Sequence, residues 1–154
     1  MRSPSAVVDV QERGRRRLFE PPPWLDEERV RRARKAARRI VRESLGGERR
    51  GSLAEAIRDL YGTVEREEWL VRAVTRLLLG TVERVSASVW RVYGVPGLGD
   101  SYGLYVVSLR EGRYECTCFT HSYGYVRRAR ICTHIAAVML RRRQLMLVDY
   151  GGAR

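Results

Sequence analysis

The chain has 154 residues, 30 of them basic and 18 acidic, for a formal net charge of +12. That length suits one domain, or a small domain with extensions, and 44 % hydrophobic residues suffice for a modest core. No apolar run is long enough to span a bilayer, and no apolar segment of signal-peptide type stands near the N-terminus. An intracellular, cytoplasmic protein with reduced thiols is therefore expected, and the odd cysteine count argues against a disulfide framework. Every basic residue except Lys35 is arginine. Two readings of this preference compete: codon bias in a thermophilic or GC-rich source, or the fit of arginine forks to phosphate oxygens and bases; codon bias does not explain the surplus of positive charge. That surplus favours a polyanionic partner, with nucleic acid the default.

Residues 1–25 read as a basic arm. "QERGRRRLFEPPPWLD" places Arg15, Arg16 and Arg17 before three prolines, which fit neither a helix interior nor a central strand. Such an arm is either a solvated tail or a segment that orders on its partner. Asp26 then begins a helix as its N-cap, with Glu27 and Glu28 in the first turn and Gly46-Gly47 at its end. Val30, Ala33, Ala37, Ile40 and Val41 form its apolar stripe; Arg31, Arg32, Lys35, Arg38, Arg39 and Arg42 fill the other side. A solvated face usually mixes signs, whereas this one reads as like charges. It is a phosphate-facing helix, a plain solvated face, or least fittingly a membrane-surface helix, for which the stripe is small.

"SLAEAIRDLYG" predicts a second helix with a Ser52–Glu55 capping box and Gly62 as its C-cap. A third is expected from about Glu65 to Leu79, with Trp69, Ala73, Val74 and Leu77 as core. Beyond Gly80 the period changes from helical to alternating. "TVERVSASVWRVYGV", "YGLYVVSLR" and "RYECTCF" predict three antiparallel strands, with "PGLGDS" a loop. A last helix starts near Thr133, with Arg141 to Arg143 near its end, where cations suit the helix dipole.

All three cysteines and both histidines fall between Cys116 and His134. Cys116 and Cys118, two apart in a strand, share a face. Cys132 and His134 have the same spacing, which in a regular helix sets them about 200° apart. Cys132 must then lie at or before the N-cap, with His134 in the first turn. Three thiolates and an imidazole make a tetrahedral set for Zn2+, and four protein ligands leave no place for water, the mark of a structural site. The site keeps one net negative charge, which Arg127, Arg128 and Arg130 offset. His121 is a rival ligand, and three plain buried cysteines are the bland alternative. No H-x-E with C-x-x-C, Ser/His/Asp set, P-loop or dinucleotide motif occurs, so no enzyme is expected.

This pattern, Cys116-x-Cys118, a gap, then Cys132-x-His134 and the helix start "IAAVML", resembles the SWIM-type zinc finger, in a small, stand-alone, archaeal-like form. The resemblance covers about residues 82–147. It implies zinc held by Cys116, Cys118, Cys132 and His134, strands before the site and a helix after it, and nucleic-acid or protein partners.

The expected fold is α+β. It has a basic arm (1–25), a helical region (26–80) and a SWIM-like domain (81–150) whose three-stranded antiparallel sheet carries the zinc site into a C-terminal helix. The expected role is binding nucleic acid, RNA before DNA, within a ribosome-like particle. Tyr123 and Tyr125 would stack on bases while Arg127, Arg128 and Arg130 hold phosphates, unless their loop is a solvated connector. The alternative is an adaptor for a protein partner in DNA recombination or repair, docking through Trp69 to Leu79.

Overall fold

In the computed structural model the described residues are 22–23, 25–118 and 131–150, without the side chains from 148 onward. They form four helices and a four-stranded antiparallel sheet, an α+β arrangement. Of the proposed arm only residues 22, 23 and 25 are described, Leu25 being buried against Leu79, Val95 and Leu98; Arg15, Arg16 and Arg17 lie outside the described residues.

Helix α1 spans Glu27–Leu45. The Asp26 side chain accepts from the Arg29 N–H at 2.7 Å, capping the first turn. Gly46 donates back to the Arg42 carbonyl at 2.9 Å, and Gly47 takes a φ of 79°, where a side chain would be strained. Helix α2 spans Ser52–Val64. The predicted capping box is not formed: Gly51 stands at the N-cap with φ 115° and no side-chain cap, leaving Ser52 inside the helix. Gly62 is also internal, and the helix ends at Glu65 in a left-handed conformation. Helix α3 spans Glu67–Leu78.

The stretch Trp69 to Leu79, the face named for a docking partner, lies mostly in the core. Leu70, Val71, Ala73, Val74, Thr75, Arg76 and Leu79 are buried. Leu70, Val71, Ala73 and Val74 pack with Ala37 and Val41 of α1, Ile57 and Leu60 of α2, and Ala136, Ala137 and Leu140 of the last helix, while Leu79 packs with Leu25, Val95 and Leu98. Fully burying a leucine or isoleucine such as Leu70 or Ile57 contributes on the order of 1.5–3 kcal/mol.

The sheet has four strands rather than three, in the order β1 (Val82–Ser86), β2 (Val89–Tyr93), β3 (Leu104–Arg110) and β4 (Arg113–Cys116). The first predicted strand is a hairpin. Its chain reverses at Ala87-Ser88, where the Ser86 hydroxyl accepts the Ser88 N–H at 3.3 Å. One face of the sheet is buried by helix α4 (Thr133–Tyr150). Trp90, Val107 and Cys116 align across β2, β3 and β4 on that face and meet Ile135 and Val138 of α4. Helix α4 is thus shared between the helices and the sheet. Because it runs on to Tyr150, Arg141 to Arg143 sit mid-helix and not at the dipole's negative end. Among the described residues no helix is long and apolar enough to cross a membrane.

Candidate metal centre

Cys116 closes β4, and Cys118 does not continue the strand. The backbone turns after Cys116, the Thr117 hydroxyl takes the Val106 N–H at 3.0 Å in place of a ladder partner, and the Cys118 N–H points at Cys116 Sγ, 3.5 Å away. The two sulfurs are brought together by this turn and not by strand alternation. Cys132 stands immediately before α4, where the two-residue spacing requires it, and His134 lies in the first turn. Cys132 Sγ accepts the Ile135 N–H at 3.4 Å, as an N-cap side chain does.

The ligand atoms of Cys116, Cys118, Cys132 and His134 all lie within 4.8 Å of one another. His134 Nδ1 is 3.6 Å from Cys132 Sγ and 3.8 Å from Cys116 Sγ. A tetrahedral zinc with Zn–S near 2.3 Å and Zn–N near 2.0–2.1 Å separates neighbouring sulfur and nitrogen ligands by about 3.5 Å. Donor types and spacing are therefore compatible with zinc. Cys116, Cys132 and His134 are 5 %, 2 % and 5 % exposed, and Cys118 is half-buried; none of the three cysteines is in a disulfide.

Hydrogen bonding to Cys118 and Cys132, with burial, pushes the Cys116 thiol up. Burial opposes a Cys132 thiolate, but hydrogen bonds from Cys116, Cys118 and His134 outweigh it and hold Cys132 well below the usual thiol range. Its place at a helix N-terminus also favours the anion.

Behind the ligands lies a network that the motif did not reveal. His134 Nε2 is 2.9 Å from Asp100 Oδ1, and Tyr105 stacks on the imidazole with ring centroids 3.9 Å apart. Arg76 of α3 holds Asp100 with two hydrogen bonds, of 2.6 and 3.0 Å, and donates to Thr133 Oγ1 at 3.0 Å. Burial would raise the Asp100 pKa, but the His134 hydrogen bond and the Arg76 guanidinium lower it to about 2. The loop after β2 is shaped to present this carboxylate. The Val95 N–H donates to Asp100 Oδ2 at 2.7 Å, and Tyr105 Oη accepts the Ser101 and Tyr102 N–H groups, each at 3.1 Å. Gly94 is required there, since a Cβ would fall 1.9 Å from the Tyr102 carbonyl oxygen. The legible hint was Arg76 itself, a cation on the apolar stripe three residues after Ala73.

The candidate nucleic-acid contacts separate into two groups. Arg31, Arg32, Lys35, Arg38, Arg39 and Arg42 are all exposed on α1. The face is not purely repulsive: Arg31 pairs with Glu28 at 2.9 Å, Arg39 with Glu43 at 3.4 Å and Arg38 with Glu68 of α3 at 3.9 Å. Among the described residues no carboxylate pairs with Arg32, Lys35 or Arg42. Tyr123, Tyr125, Arg127, Arg128, Arg130 and the rival ligand His121 lie outside the described residues. No family model matches the chain, and no curated protein or solved structure matches it either.

Proposed function

We propose that the chain is a structural-zinc protein of SWIM type that binds nucleic acid, and that its partner is RNA in a ribosome-like particle. The observation that carries the reading is the largely buried Cys3His set, whose ligand atoms lie close enough together to hold one metal ion. The residues that would hold zinc are Cys116, Cys118, Cys132 and His134. The ion's contribution is charge and rigidity: it lets three thiolates share one small volume and fixes the end of β4 against the start of α4. With four protein ligands it has no open position, so no catalytic role is assigned.

The nucleic-acid part rests on charge. Arg32, Lys35 and Arg42 line the exposed side of a capped, well-packed helix, within a chain of net charge +12. Arginine forks hold phosphate oxygens in two directions at once, and such contacts give affinity without reading sequence. The 119–130 segment between the two ligand pairs contributes Tyr123 and Tyr125 for base stacking and Arg127, Arg128 and Arg130 for phosphates. Titrating the zinc-loaded chain with a structured RNA fragment and with duplex DNA across a salt series tests this. If about eight phosphates are neutralised, log K falls against log salt with a slope of roughly −6 to −7, and RNA binds more tightly. A slope near zero contradicts a phosphate interface, and a preference for the duplex contradicts RNA.

A further inference from the structure

The ligands close on one side of His134, and a buried ion pair closes on the other. We propose that Asp100 and Arg76 are positioning residues for the metal centre, so that ion affinity depends on how α3 is docked in the helical core. This rests on the reading of Cys116, Cys118, Cys132 and His134 as metal ligands.

An imidazole can offer only one nitrogen to an ion. Nδ1 faces the sulfurs of Cys132 and Cys116, while Nε2 faces Asp100 Oδ1 at 2.9 Å. Both carboxylate oxygens are engaged. Oδ1 also accepts from Arg76 Nη2, and Oδ2 accepts from Arg76 Nη1 and the Val95 N–H. A carboxylate held in this way is an acceptor only. It places the ring proton on Nε2 and leaves the Nδ1 lone pair directed at the thiol cluster. Arg76 also reaches Thr133, the residue between Cys132 and His134, at 3.0 Å. One guanidinium therefore holds both the carboxylate behind His134 and the side chain of the residue between Cys132 and His134.

Charge gives a second reason. The Arg76 and Asp100 side chains are 1 % and 4 % exposed. Taking both ions out of water is costly, and apolar residues of equal size are commonly no worse for stability. A centre with three thiolates keeps net negative charge around a divalent ion, so a bare carboxylate beside it would repel. Arg76 neutralises that carboxylate and lets it polarise His134. Arg76 is itself anchored, for its carbonyl accepts the Thr81 hydroxyl and N–H at 2.9 and 3.2 Å. Because coupling is reciprocal, occupancy of the centre also stabilises the docking of α3.

The test compares the full-length parent, Asp100→Asn, Arg76→Met and the double variant. Asparagine is nearly isosteric, but its NH2 must face donors either way: Arg76 Nη1 and the Val95 N–H if its oxygen stays toward His134, or His134 Nε2 and Arg76 Nη2 if the amide turns. Zinc affinity is measured by competition with a chromophoric chelator, with the cobalt absorption spectrum and the 15N shifts of the His134 ring read alongside. Each single variant should still bind one ion, about 10- to 100-fold more weakly, with a changed ring tautomer population. The double variant should lose less than the product of the single losses. Arg143→Gln, which breaks only an exposed pair with Asp59, should bind as the parent does. If Arg76→Met does not fold, Asp100→Asn decides. Parental affinity and ring shifts in Asp100→Asn overturn the proposal while leaving the metal reading intact. A parent that binds no zinc overturns both.

Discussion

Replacing Cys132 with serine removes one donor from the centre and disturbs little else. Cys132 is 2 % exposed, and its sulfur caps α4 by accepting the Ile135 N–H at 3.4 Å. Serine is a favoured N-cap, so its hydroxyl keeps that partner, and the metal-free forms of parent and variant should agree within about 1 kcal/mol. With zinc they should diverge. A ligand that binds only the native state at 1,000 times its Kd adds about 4.1 kcal/mol; if the serine variant binds a thousandfold more weakly, the same zinc adds about 0.4 kcal/mol. For a chain of this size the parental gain corresponds to a Tm rise of roughly 8–16 °C. Urea melts followed by circular dichroism, with fixed free zinc and with a strong chelator, give all four stabilities. A zinc-dependent gain in Cys132→Ser equal to the parent's would refute the assignment of Cys132. So would a difference of several kcal/mol between the two metal-free forms, since the cap argument would then fail.

Three other outcomes follow from the same geometry. Changing Arg32, Arg38, Arg39 and Arg42 together to glutamine should weaken nucleic-acid binding and flatten the salt slope by about 3, with zinc content unchanged; undiminished affinity moves the contact surface elsewhere. Gly94→Ala forces a Cβ against the Tyr102 carbonyl, only 1.9 Å away. It should cost roughly 1–3 kcal/mol in a urea melt and lower zinc affinity by shifting the Asp100 loop, whereas parental values in both would mean the loop adapts freely. His121→Ala should retain one zinc per chain on elemental analysis, and loss of the ion would make His121 a ligand.

The Cys116, Cys118, Cys132 and His134 cluster was legible because cysteine and histidine are scarce in this chain and all of them fall in one stretch. The limits of α1 were legible because Asp26 and Gly46-Gly47 act through local chemistry. Features that depend on distant partners were not. The β1–β2 turn contains neither glycine nor proline, so the alternation of Val85, Ala87 and Val89 runs through it unbroken. Cys118 could be read as part of the strand because nothing local marks the turn after Cys116. The partner of Arg38 is Glu68, on another helix, so the face looked more repulsive than it is. Asp100 sits in a Gly-rich loop that reads as solvent-facing until Arg76 and His134 converge on it.

X-ray absorption at the zinc edge, on protein purified under reducing conditions without added metal, tests the account most directly. The expected result is one zinc per chain, bound by three sulfurs at about 2.3 Å and one nitrogen at about 2.0–2.1 Å. Protein that carries no transition metal, or zinc surrounded only by oxygen and nitrogen, would contradict it.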